Sequence, residues 1–137
     1  MKYLPFDTLS GAWERIKTLE DENRQILVSM RLLTREFRKT VAEPRQIYLS
    51  LHKVNSGTVY VRWRKRGVCG RQPFMLMNTS NGEAFLMKQE SLVKKLYQDF
   101  NYRALLLTLA HSLRIMEMKR LRKFLEDVGQ VNSSRGV

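Results

Sequence analysis

The chain has 137 residues, 43% of them hydrophobic, which is enough for one domain-sized core and argues against wholesale disorder. Its single cysteine excludes an internal disulfide, and no apolar run approaches the ~20 residues that a membrane span needs. The formal net charge is +12, and residues 31–72 alone carry eleven Lys and Arg against two acids. A positive field focused in this way favours a polyanionic partner. The N-terminus has no signal-peptide apolar block, so we expect a cytoplasmic protein that binds no membrane.

The first predicted element is a long helix over residues 7–43, ended by Pro44. Its apolar residues recur at the heptad spacing of a coiled coil, and Asn23 falls at one of the seam positions. A buried Asn in such a seam commonly sets register or oligomeric state, whereas an Asn that faces solvent on a curved helix explains the residue equally well. The coiled-coil interpretation predicts a homodimer through this helix, with the seam residues Leu19, Asn23, Ile26, Met30 and Leu33.

Cations gather in the last turns of this helix and in the loop that follows it. Positive side chains near a helix C-terminus interact favourably with the helix dipole, which explains part of the cluster without any ligand. The dipole does not explain so dense a cluster directly before another basic element. The residues are Arg31, Arg35, Arg38, Lys39 and Arg45.

Residues 46–66 predict an antiparallel β-hairpin, because two runs rich in β-branched and aromatic residues flank a turn composition at residues 55–58. Side chains alternate across a strand, so one face carries aliphatic residues and Trp63, while the other carries arginines and tyrosines without any acidic residue. A solvated strand face usually mixes charge signs. The basic face is predicted to hold Tyr48, Ser50, His52, Tyr60, Arg62, Arg64 and Arg66.

The rest of the chain should complete the sheet and cover its apolar face. Residues 74–77 predict a third strand, and residues 84–87 fit either a fourth strand or the beginning of a helix. Two helices are predicted over residues 89–128, with an interruption near Asn101 and a stop at Gly129.

Together these elements predict a single α+β domain over residues 1–128. It has a long N-terminal helix, a small antiparallel sheet of three or four strands within residues 46–87, and two C-terminal helices packed on the sheet. Residues 129–137 are predicted to form a disordered tail.

The sequence contains no recognisable catalytic or metal-binding pattern. It lacks a P-loop, zinc-ligand spacing and paired carboxylates. His111 lies in an apolar helix and is expected to be a core histidine. Cys69 would be reactive only if it were exposed beside Arg66 and Arg71. We therefore expect a protein that is not an enzyme and that uses no metal or cofactor.

Nucleic acid is the predicted partner, with DNA favoured over RNA. A two-stranded ribbon can enter the major groove and direct arginines at phosphates or guanine edges, or its tyrosines can stack on unpaired bases. The predicted contact residues are Tyr48, His52, Tyr60, Arg62, Arg64, Lys65 and Arg66 on the hairpin and Arg31, Arg35, Arg38, Lys39 and Arg45 beside it. The competing interpretation is a protein-interaction module, a small regulator or inhibitor that docks on an acidic partner through the basic face and the heptad helix.

The hairpin sequence IYLSLHKVNSGTVYVRWRKRG, between a long leading helix and a closing helical pair, resembles small basic accessory proteins of conjugative plasmids and integrative elements. The resemblance covers about half of the chain and contributes no signature residue. It implies a helper at a transfer origin that recruits or positions the relaxase on DNA. A protein partner within a DNA-processing complex follows from it as an expectation.

Overall fold

The computed structural model describes residues 3–67 and 73–135, apart from the side chains of 134 and 135. It confirms the predicted α+β class, with a long N-terminal helix, a three-stranded antiparallel sheet and two C-terminal helices. In chain order the elements are α1 (Leu9–Thr40), β1 (Ile47–Lys53), β2 (Val59–Lys65), β3 (Phe74–Met75), α2 (Ser80–Met87) and α3 (Ser91–Arg135).

Helix α1 has a side-chain cap at each end. At its beginning, the hydroxyl of Thr8 accepts a hydrogen bond from the backbone N–H of Gly11 at 3.0 Å. At its end, the guanidinium of Arg45 donates to the carbonyl oxygens of Arg38 at 2.8 Å and Val41 at 2.6 Å. These carbonyls have no partner within the helix, so Arg45 satisfies groups that would otherwise need water. Helix α1 begins at Leu9 and ends at Thr40, so it is slightly shorter at both ends than the predicted range 7–43.

The sheet has the order β1-β2-β3, and all its pairs are antiparallel. The tight turn between β1 and β2 places Gly57 at a φ of +90°, a conformation that side-chain-bearing residues rarely adopt. In the β1–β2 register Leu49 lies opposite Trp63, and both are buried on the face that packs against α1 and α3. The predicted alternation of apolar and basic faces is confirmed. Strand β3 is only two residues long, which is shorter than the predicted 74–77.

Helix α2 contains the segment whose structure the sequence left open. Residues 84–87 are helical, so the described part of the sheet has three strands rather than four. Thr79 caps α2 by accepting from the N–H of Gly82 at 3.4 Å. A Cβ atom at Gly82 would lie 2.4 Å from the carbonyl oxygen of Met77, so this close approach requires glycine.

Helix α3 is continuous, and the predicted interruption at Asn101 and stop at Gly129 are both wrong. The side chain of Asn101 accepts a hydrogen bond from the indole N–H of Trp63 at 3.0 Å, so it serves the core rather than ending a helix. Gly129 does not adopt the left-handed conformation of a glycine C-cap. The expected disordered tail is helical as far as Arg135, and residues 136–137 lie outside the described part of the chain.

The core consists of two apolar clusters. One lies between the sheet and the helices, where the ring of Phe37 packs edge-on against Trp63, Tyr97 and Phe100 at centroid distances of 5.3 to 5.7 Å. The other joins the N-terminal half of α1 to the C-terminal half of α3. Its buried residues are Ala12, Ile16, Leu19, Met118, Leu121 and Leu125.

The heptad seam of α1 is used inside the molecule. Asn23 is buried and its side-chain oxygen lies 2.8 Å from Nδ1 of His111 on α3, so it is neither at a dimer seam nor facing solvent. His111 is a buried core residue, as predicted. Asn23 is the hydrogen-bond partner of its Nδ1, and its Nε2 is buried without a partner among the described residues. Contacts within the chain therefore fill the predicted seam, and a homodimer stays a prediction. The seam residues Leu19, Asn23, Met30 and Leu33 are buried and Ile26 is half-buried within their own chain.

Candidate nucleic-acid interface

The hairpin register brings the predicted basic residues onto one face, opposite the face that packs on the helices. Tyr48 lies opposite Arg64, and Ser50 lies opposite Arg62. His52 lies opposite Tyr60 at the end of the hairpin near the turn. Backbone pairing thus places polar and basic side chains from both strands side by side on a single surface, which we call the basic face.

Aromatic rings hold the arginines of the basic face in place. The guanidinium of Arg62 lies 4.2 Å from the ring centre of Tyr60, and that of Arg64 lies 4.4 Å from the ring centre of Phe74. Phe74 also stacks near His52, with ring centres 4.6 Å apart. Stacking occupies the flat faces of a guanidinium and leaves its N–H edges free to donate hydrogen bonds. The two arginines are therefore ordered by the sheet itself.

Phe74 is a residue of this site that the sequence reasoning missed. It is 39% exposed because it lies on the outer face of β3, opposite Arg64. Its place in a third strand was predicted from the apolar run. Its position opposite Arg64 depends on the pairing of β3 with β2, which local sequence pattern does not determine.

The basic face has polar contacts of its own. A terminal nitrogen of Arg62 lies 3.0 Å from Nδ1 of His52, within hydrogen-bond distance. Nε of Arg64 is buried without a hydrogen-bond partner. Among the described residues, no carboxylate lies within ion-pair distance of Arg62, Arg64 or Arg66.

A cleft of about 520 Å³ separates β1 from the C-terminal half of α1. Three arginines that the sequence placed on one helix face line it from the α1 side, and four consecutive residues of β1 line it from the other side. The cleft joins the cations of α1 to the basic face of the hairpin through Tyr48 and Ser50. Its lining residues are Arg31, Thr34, Arg35, Arg38, Tyr48, Leu49, Ser50 and Leu51.

Among the strands that the structure describes, β1 has β2 as its only neighbour and is therefore an edge strand. The N–H of Val54 bonds to the carbonyl of Thr58, and the N–H of Arg66 bonds to the carbonyl of Gln46. Even-numbered residues of β1 therefore pair with β2, and Leu49 and Leu51 direct their backbone groups outward. The cleft thus contains backbone donors and acceptors of Leu49 and Leu51 that point away from β2, beside three arginine side chains.

Three of the predicted contact residues lie elsewhere. Arg45 is committed to the end of α1, with its side chain largely buried and in an ion pair with Glu43 at 3.2 Å. Lys65 lies opposite Ile47 in the register and so belongs to the apolar side of the sheet, although it is exposed at the strand end. Lys39 is exposed but does not line the cleft.

Ion pairs between α1 and α3 use acids and cations of both helices, and these pairs do not involve the basic face. Glu36 lies between Arg35 and Arg38 in sequence, yet Arg103 binds it at 3.1 and 2.5 Å and holds the pKa of Glu36 below its ordinary value. Arg15 likewise lowers the pKa of Glu117 through hydrogen bonds of 2.6 and 3.1 Å. Within the described ranges 3–67 and 73–135, these pairs therefore leave the positive charge of the cleft and the basic face without ion-pair partners.

No family model, no curated protein and no solved structure matches the chain. In residues 3–67 and 73–135, no helix is long and apolar enough to cross a membrane, and no group of three or more His, Cys, Asp and Glu side chains could hold a metal ion. Cys69 lies outside the described residues. The resemblance to accessory proteins of conjugative elements stays a prediction.

Proposed function

We propose that this protein is a non-catalytic nucleic-acid-binding accessory protein that contacts DNA through the basic face and the adjoining cleft. The observation that supports the proposal best is the pair of arginines Arg62 and Arg64, each stacked on an aromatic ring and without an acidic neighbour among the residues that the structure describes. Fixed, uncompensated guanidinium groups suit phosphate oxygens and guanine edges, which both accept bidentate hydrogen bonds.

The cleft arginines extend this surface toward α1. Arg31, Arg35 and Arg38 line one wall of the cleft, and residues of β1 line the other. Successive arginines on one face of a strand are about 7 Å apart, which is close to the spacing of phosphates along one strand. With Arg66, about six cations can then neutralise phosphates, and log Kd should change with log salt by a slope of magnitude about 5 on duplex DNA.

The stacking favours contact with duplex DNA over stacking on unpaired bases. The ring of Tyr60 is half-buried and one of its faces is covered by Arg62. An incoming base would have to displace that guanidinium, whereas a phosphate or a base edge can bind the N–H groups that the stack leaves free. The resemblance stated above supports a role at a transfer origin in the cytoplasm, where the protein would position a relaxase on DNA.

A fluorescence-anisotropy titration with duplex and single-stranded DNA and RNA at two salt concentrations tests the proposal. We expect tight, salt-sensitive binding to duplex DNA that the double substitution Arg62→Glu/Arg64→Glu abolishes. The control Lys17→Glu/Lys88→Glu makes the same charge change at exposed positions outside the site and should retain most of the affinity. If the wild-type protein binds no nucleic acid at low salt, the proposal is wrong.

The open edge of β1 favours one alternative, the docking of an acidic, extended protein segment. Such a segment could pair with the outward backbone groups of Leu49 and Leu51 while its carboxylates bind the cleft arginines. A polyglutamate-rich peptide and duplex DNA can be titrated in parallel. Peptide binding that Arg35→Glu abolishes, together with a lack of DNA binding, would support this alternative.

A further inference from the structure

Helix α3 has two opposite faces that both follow the heptad spacing. Every seventh residue from Tyr97 to Leu125 is buried against the rest of the molecule, and this series includes His111. On the opposite face five large apolar side chains are spaced by four and three residues, and each is between 46% and 63% exposed. These residues, which we call the outer seam, are Tyr102, Leu106, Leu109, Leu113 and Met116.

No described residue covers the outer seam. Large apolar side chains exposed singly are ordinary, but a contiguous stripe over four helical turns marks an interaction surface. The spacing of the stripe is that of the two apolar positions of a coiled coil, so the geometry fits a second helix.

Charged residues continue the same heptad positions beyond both ends of the stripe. Lys95 and Asp99 precede it, and Arg120, Lys123 and Asp127 follow it, all exposed. The outer seam uses two heptad positions, one that includes Tyr102 and Leu109 and one that includes Leu106 and Leu113. In an antiparallel coiled coil, a residue at the first position on one helix faces a residue at the second position on the partner helix. With the two-fold axis level with residue 111, the facing pairs are Lys95–Asp127, Asp99–Lys123, Tyr102–Arg120, Leu106–Met116 and Leu109–Leu113.

Every facing pair in this arrangement is complementary. Both charged pairs join opposite charges, Tyr102 can receive the guanidinium of Arg120 on its ring face, and the centre is apolar. A parallel arrangement would place each charged residue against the identical residue of the second chain, which carries the same charge. An antiparallel arrangement shifted by one heptad would place Asp99 against Met116 or Lys123 against Leu106.

We propose that a second copy of this chain docks antiparallel on the outer seam of α3. The complementary stretch from residue 95 to residue 127 spans about 48 Å of helix, enough for an extended two-helix interface. Lys123 already pairs with Asp127 in its own helix at 2.9 Å, and the partner's Asp99 and Lys95 extend that pair into a four-residue network. The buried face of α3 is on the other side, so association leaves the core of each copy unchanged.

Sedimentation equilibrium over a range of protein concentrations tests the interface. The wild-type protein should form dimers, and Leu109→Glu should raise the dissociation constant by about 100-fold, since it buries a charge at the centre of the seam. Leu32→Glu is a matched control, because Leu32 on α1 is 54% exposed and so is Leu109. A circular-dichroism melt verifies that both variants fold. A wild-type monomer at every concentration, or a dimer that Leu109→Glu leaves intact, would overturn the proposal.

Charge exchange tests the antiparallel register and the identity of the partner. Asp99→Lys alone faces Lys123 of the second copy, and Lys123→Asp alone faces Asp99, so each variant should dimerise about tenfold more weakly. In an equimolar mixture of the two variants both contacts are restored, and native mass spectrometry should detect the heterodimer in excess over either homodimer. A statistical mixture, or no dimer at all, contradicts the pairing of positions 99 and 123.

Discussion

The two halves of α1 differ in how their charges are compensated. In the N-terminal half, acidic and basic side chains pair across the interface with α3 at 2.6 to 2.9 Å. In the C-terminal half, three arginines line a cleft without any described carboxylate partner. The hairpin beside them contributes further arginines. One end of the molecule is electrostatically balanced, and the other keeps an excess of cations. The balanced pairs are Arg15–Glu117, Glu20–Arg122 and Glu22–Arg114.

Charged side chains have different roles at the two ends of the molecule. Exposed ion pairs contribute about 0 to 1 kcal/mol each, so the balanced end owes its stability mainly to its apolar cluster and uses charge to fix which residues meet. At the unbalanced end, like charges repel one another and lower the stability of the free protein. Such repulsion is tolerated where an anionic partner relieves it.

Removing the aromatic core of the unbalanced end should have the largest effect. Phe37 is fully buried and its ring contacts Trp63, Tyr97 and Phe100, so Phe37→Ala should lower the free energy of unfolding by about 3 to 5 kcal/mol. Chemical denaturation followed by circular dichroism measures it. Phe124→Ala is the control, since Phe124 is half-exposed on α3 and should cost far less. A small effect at Phe37 would mean that charge, not packing, holds this end together.

The buried pair of Asn23 on α1 and His111 on α3 should make the free energy of unfolding depend on pH. Burial lowers the pKa of His111 below its ordinary value, so the folded protein binds fewer protons there than the unfolded chain does. This contribution to stability is present above about pH 6.5 and is lost as the pH falls below that value.

Urea denaturation between pH 7.5 and 5 measures this dependence. The Asn23→Leu/His111→Leu variant removes both polar partners and should flatten the curve in that range. A wild-type curve that stays flat would contradict the prediction. The lowered pKa values of Glu36 and Glu117 act at lower pH, below about 4.5, where their protonation breaks the pairs with Arg103 and Arg15.

Single charge removals should have small effects of opposite sign at the two ends. Arg31 and Arg35 are one helical turn apart and repel each other, so Arg35→Gln should raise the stability of the free protein by a few tenths of a kcal/mol, or about 0.2 to 0.5. Arg114→Gln, which breaks the 2.8 Å pair with Glu22, should lower it by a similar amount. Thermal melts in low salt compare them. The same sign for both variants would remove the distinction between the ends.

Sequence reasoning predicted what depends on local periodicity. The period-two alternation of residues 47–65 determined the two faces of the hairpin, and the heptad spacing identified the buried stripe of α1. Periodicity does not say which helix fills a seam. The sequence left Asn23 between a coiled-coil seam and a solvent-facing position, and its partner His111 lies 88 residues away on the same chain.

The errors came from side chains whose roles are set by distant contacts. Asn101 resembles a helix end in sequence, but Trp63 uses its amide as a hydrogen-bond acceptor. Arg45 resembles one more phosphate ligand, but the carbonyls at the end of α1 bind its guanidinium. In each case the deciding partner is found only once the chain has folded.

The position of Arg45 has a consequence for mutational scanning of this surface. Arg45 directly precedes Gln46 and β1, and its guanidinium binds the carbonyl oxygens at the end of α1. It therefore sets how the two walls of the cleft meet. If the protein binds DNA as proposed, an alanine at this position would alter DNA affinity from a distance, and a screen scored by affinity alone would count Arg45 as a contact. The number of counterions released on binding would stay the same, because no cation–phosphate contact has been lost.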